Sequence, residues 1–135
     1  MMRRFGWAVS VALAFWGGAA QAQGDIAVPS GGSVTAIGVI WETQPDGSLW
    51  ARFRFLAPQI ARAGGTVSYT AAAADMVHLC EVVALPAVAA DGRAPGLIIL
   101  SLADRDIAFG TLDTSVTQFF EAYRSDAGQC LPEPI

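Results

Sequence analysis

The sequence predicts an α+β fold in which one amphipathic helix packs on a mostly antiparallel sheet, a single domain tied by one disulfide. Three observations carry this expectation. From Tyr69 to Leu85, Ala72, Met76, Leu79, Cys80 and Val83 recur at i, i+3, i+4 and i+7 steps, the pattern of a helix with one buried face. Around that stretch lie short segments whose apolar residues alternate or run continuously, as strands do. The chain holds two cysteines, Cys80 on the helix and Cys130 near the C-terminus, so one bond between them is the simplest pairing.

Each element follows from its residues. Arg3 and Arg4, an apolar core from Phe5 to Trp16, and the small-residue signal Ala20-Gln21-Ala22 read as a secretory signal peptide over residues 1–22, cleaved before Gln23. The alternative is a membrane anchor, but the apolar run is shorter than the roughly 20 residues a bilayer needs, and Gly17-Gly18 favours removal. Residues 23–135 then form the single domain, periplasmic or secreted and without a stable membrane anchor. Past a polar lead-in, Asp25 to Gly32, comes a strand from Val34 to Glu42. Leu49 to Phe55 is a second, with Leu49, Ala51, Phe53 and Phe55 inward and Trp50, Arg52 and Arg54 outward. Gln44-Pro45-Asp46-Gly47-Ser48 between them has turn chemistry, so the two make an antiparallel hairpin. Pro58 ends the second strand, Ile60 to Ala63 is a short turn, and Thr66 to Tyr69 is a brief strand or an extended lead into the helix.

For the helix itself, Thr70 is the expected N-cap, the alanines after it propagate the helix, and Pro86 is expected to stop it by lacking an N–H. Asp75, His78 and Glu81 fall toward the opposite, solvated side. Ala87 to Pro95 reads as a loop with an Asp91-Gly92 turn. Gly96 to Leu102 is apolar on both parities, as in a central strand, and Ile107 to Gly110 is a short strand beyond a polar break. Val116 to Tyr123 has helical spacing but β-branched and aromatic content; we read it as a strand, with helix as the alternative. Gln129 to Leu131 returns as a last strand carrying Cys130, and Pro132 to Ile135 frays.

Composition narrows the function. Without Arg3 and Arg4 the chain keeps six arginines, no lysine, and twelve acidic residues, a balance that argues against nucleic acid or anionic lipid as partner. Asp75, His78 and Glu81 stand three apart on one flank, yet His78 is the chain's one histidine and the paired-histidine zinc pattern is missing; a polar surface is the better reading, with no metal and no cofactor. There is no G-x-S-x-G elbow and no Gly-rich phosphate loop. Asp104 and Asp106 flank Arg105 in what reads as a solvated turn rather than a calcium loop. With no C-x-x-C, the cysteines read as structural rather than redox-active. Trp50, Arg52 and Arg54 are the better candidates for a binding surface, being types enriched at binding hot spots.

Several strings also carry a resemblance. Val28-Pro29-Ser30-Gly31, Phe53-Arg54-Phe55-Leu56-Ala57-Pro58, His78-Leu79-Cys80, Ile99-Leu100-Ser101-Leu102-Ala103-Asp104-Arg105 and Thr117-Gln118-Phe119-Phe120-Glu121-Ala122-Tyr123-Arg124 resemble a family of small exported proteins of unknown function from Rhodobacter-group alphaproteobacteria. The resemblance implies no catalytic residues and agrees with a Cys80 to Cys130 bridge. Members are sometimes labelled acetolactate synthase, but that enzyme is several times longer and anchors thiamine diphosphate through a metal-binding Gly-Asp-Gly motif that does not occur here. The sequence therefore points to an exported envelope protein, a non-catalytic binding or accessory module whose partner is another envelope protein. The alternative is a small periplasmic enzyme with a site near His78. Oligomeric state is not legible.

Overall fold

A computed structural model describes residues 24–134; the signal-peptide segment and its cleavage point lie outside them. Six strands, β1 (Asp25–Ala27), β2 (Ser33–Thr43), β3 (Leu49–Leu56), β4 (Leu97–Ala103), β5 (Gln118–Asp126) and β6 (Gln129–Pro132), form one sheet in sequence order. Every neighbouring pair is antiparallel except β3 with β4. That parallel pair requires a crossover, and the helix supplies it. The expected α+β fold, with its helix, its mostly antiparallel sheet and its disulfide, is therefore the observed one.

The β2–β3 hairpin is as expected, the strand expected over Val116 to Tyr123 is observed two to three residues later as Gln118–Asp126, and β4 sits mid-sheet with Ile98 to Ala103 all buried. Two expectations about strands fail. Asp25 to Ala27 is a strand rather than a lead-in, because it pairs with Ser33–Thr35 and the Asp25 carboxylate accepts a bond from the Thr35 hydroxyl at 2.7 Å. Ile107 to Gly110 is loop: its residues lie over a sheet face instead of beside an edge, and Arg54 rather than a strand engages the Ile107 carbonyl.

The helix, α1, spans Tyr69–Asp91 without interruption. Ser68, not Thr70, caps it, its Oγ accepting from the Ala71 N–H at 3.3 Å. Pro86 does not end it. Residues Cys80–Ala84 form a π-turn in which the Leu85 N–H reaches the Cys80 carbonyl, five residues back. A wider turn of this kind absorbs the missing proline N–H, and Pro86 occupies the opening turn of the last α-helical stretch, Leu85–Asp91, where an N–H is not needed. The helix ends instead at Gly92, whose φ of 84° suits a residue without Cβ.

Ala72, Met76, Leu79, Cys80 and Ala84 present fully buried side chains to Ala51, Phe53 and Phe55 of β3, Ile98, Leu100 and Leu102 of β4, and Tyr123 of β5. The helix is long and apolar enough to cross a bilayer, but its apolar stripe is consumed by this core. Cys80 and Cys130 are bonded, with Cα atoms 6.2 Å apart, which fastens the four-residue edge strand β6 to the π-turn. A disulfide of this kind is characteristic of oxidising, extracytoplasmic compartments. The tail beyond it is held as well, since the Glu133 N–H donates to the Ala122 carbonyl at 2.8 Å and its carboxylate meets Arg124 at 3.0 Å.

Candidate functional site

Because the core claims one face of the sheet, alternation puts Trp50, Arg52 and Arg54 on the other. The register extends that outer face across four strands. Gly38, Arg54, Ser101 and Phe120 form one row; Ile40, Arg52, Ile99 and Ala122 form the next; Glu42, Trp50 and Leu97 begin a third. The bulge in β2 falls between Ala36 and Gly38, where an added Cβ at Gly38 would meet nothing within 4 Å, so the first row is open on that flank.

This face is partly roofed. The loop between β4 and β5 crosses it, held by the Arg54 guanidinium donating to the Ile107 carbonyl at 2.5 Å and by Phe109, whose ring lies 5.2 Å from the Arg52 guanidinium carbon. Arg52 is also paired with Glu42 of the neighbouring strand at 2.9 Å. The loop is braced from inside: the Ser115 hydroxyl and then its N–H donate to Asp113, holding that carboxyl below its usual range, and Arg105 donates to the Ser115 carbonyl at 2.8 Å. Between loop and sheet a cleft of about 270 Å³ is lined by Arg52, Arg54, Ser101, Phe109, Leu112 and Phe120, among others. A second hollow, of about 520 Å³, lies at the far end of the face around Trp50, Leu97 and Arg124. There Asp46 is fixed by the Ser48 hydroxyl and N–H, which hold its carboxyl low.

Thus Trp50, Arg52 and Arg54 do share one face, but they divide between two hollows, and two of them are engaged by the loop. Parity along β3 gives no access to Phe109, Leu112 and Phe120, which complete the surface; their signal in the sequence is large apolar side chains interleaved with threonine and other polar residues over 109–120.

The three residues of the alternative site do not share one solvated flank. Asp75 is not on a solvated flank: it is 2% exposed and accepts from the Ser30 N–H at 2.8 Å and the Ser30 hydroxyl at 2.5 Å, so both oxygens serve to pin the β1–β2 turn to the helix. His78 and Glu81 are half-buried. Neither hollow is lined by His78, and among the described residues no group of three His, Cys, Asp or Glu side chains could hold a metal. The Asp104 side chain, read as solvated, is instead only 9% exposed, its Oδ1 buried with no hydrogen-bond donor and 3.8 Å from the Arg105 Nε. At the start of the helix, Tyr69 packs edge-on against Phe119 at 5.1 Å and bonds Glu121, a bond that raises the tyrosine pKa.

Among known proteins, residues 11–135 match a family described as a family of unknown function, DUF6497. No curated protein and no solved structure matches.

Proposed function

The chain belongs to the DUF6497 family, whose function is unknown, so no activity is inherited and its role is read from its own surface; we propose that it is an exported, non-catalytic binding or accessory module of the cell envelope. In this reading residues 1–22 are a cleaved signal peptide, residues 23–135 act in the periplasm or outside the cell, and the working face is the outer side of the sheet around Trp50, Arg52 and Arg54.

One observation carries it. Phe109, Leu112 and Phe120, exposed by 52, 96 and 46%, gather with Arg52 and Arg54 around one cleft. Scattered apolar side chains on a surface mean little, whereas a cluster of them beside arginine is the composition of a contact site. The partner is an envelope protein that brings apolar side chains to the rim and negative charge to the arginines. Crosslinking of the exported chain in its own periplasm tests this: one reproducible protein adduct, lost on Phe120→Ser or Trp50→Ala and kept on Val82→Ser on the helix, is the expected result. Adducts indifferent to both outer-face changes would refute it.

A further inference from the structure

We infer that the cleft beneath residues 107–112 is a binding site for a carboxylate carried on a small apolar body, the size of one or two amino-acid residues; this rests on the outer face being the working face. The charge in the cleft is the first ground. Its lining contains two arginines and no acidic residue, although acidic residues outnumber basic ones twelve to eight along the chain. Arg52 is neutralised by Glu42 at 2.9 Å. Arg54 is not: it donates to a neutral carbonyl, that of Ile107, and among the described residues no carboxylate lies within ion-pair reach of it. A guanidinium has five N–H groups, and a carboxylate is the planar acceptor that matches them.

The surroundings of Arg54 fit the rest of the ligand. Ser101 is its register partner on β4 and Phe120 is the partner of Ser101 on β5. A carboxylate seated on Arg54 therefore has the Ser101 hydroxyl one strand away as a second donor, and the body attached to it lies toward Phe120, Leu112 and Phe109. With one unneutralised arginine the site balances a single negative charge, which favours a carboxylate over a phosphate dianion. About 270 Å³ admits a fragment-sized group and no more. Two sources share this chemistry: the carboxy-terminal residue of a polypeptide with an apolar last side chain, and a free organic acid.

The test titrates acetyl-Leu-Phe with a free carboxylate, its carboxamide, and 3-phenylpropionate into the ¹⁵N-labelled protein, up to about 10 mM because a single charged contact gives only millimolar affinity. The expected result is a shift of the Arg54 Nε–H, Ser101 and Phe120 resonances by an acid, at least about tenfold tighter binding of acid than amide, and loss of that preference in Arg54→Gln. Tighter binding of the peptide acid than of phenylpropionate assigns the carboxylate to a chain end; the reverse assigns it to a free acid. Equal binding of acid and amide, or no movement at Arg54 with any probe, overturns the inference. A protein adduct still lost on Phe120→Ser, alongside such a result, would leave the outer face as a contact surface and remove only the carboxylate.

Discussion

Replacing both cysteines by alanine should cost about 4 kcal/mol. The bond joins residues separated by 50 positions, and closing a loop of that length removes roughly this much free energy from the unfolded chain in the entropy description. Alanine suits the test because both sites are buried, at 0 and 4% exposure, and would not tolerate a new hydroxyl. For a domain of this size the loss lowers the melting temperature by about 15 to 25 °C. It should also be localised. β6 is held to β5 by four residue pairs and, among the described residues, has no strand on its other side, so without Cys130 anchored to the π-turn its amides should exchange well before those of β4. Thermal unfolding followed by circular dichroism, with hydrogen exchange read residue by residue, measures both. A melting temperature lowered by less than about 5 °C, or β6 amides as protected as in the parent, would refute this account of what the bond does.

Other changes have equally definite outcomes. Asp75→Ala should destabilise by about 2 to 3 kcal/mol by leaving the Ser30 N–H unbonded, and a double-mutant cycle with Ser30→Ala should show coupling of about 1 to 2 kcal/mol in denaturant unfolding. Ala127, at φ 49°, and Gly128, at φ 80°, form the two-residue β5–β6 turn, so Ala127→Asn should stabilise by about 0.5 to 1 kcal/mol in the same assay. Burial raises the Tyr123 pKa above its ordinary value, with smaller contributions from Glu121 and Tyr69. Above about pH 10 the unfolded chain releases that proton while the folded chain keeps it, so stability should fall as pH rises, by up to about 1 kcal/mol per pH unit. Melting temperatures between pH 8 and 11 check this, and Tyr123→Phe should flatten the slope.

Much of the architecture was legible because it depends on local pattern. Alternation in β3, continuous apolarity in β4 and helical spacing between Ala72 and Val83 each reflect a face that must be buried, and the pair of cysteines left one bond to make. What escaped depends on contacts between residues far apart in the chain. Nothing near Pro86 announces that a π-turn will carry the helix past it. Asp75 looks like a surface residue until Ser30, 45 positions earlier, is placed beside it. β1 has three residues and exists only through its partner. Of the outer face, Trp50, Arg52 and Arg54 could be read from strand parity, whereas the loop bringing Phe109 and Leu112 over them is set by the Arg54 to Ile107 bond and has no periodic signal.

In the proposed role, contacts are made through the outer sheet face while the helix serves the core. A photo-crosslinking residue placed in turn at Phe109, Leu112 and Val82, in cells exporting the chain, tests it most directly. All three positions are solvent-accessible, with Val82 on the exposed side of the helix. Protein adducts from positions 109 and 112 and none from 82 are predicted; adducts from 82 alone, or equally from all three, would contradict it.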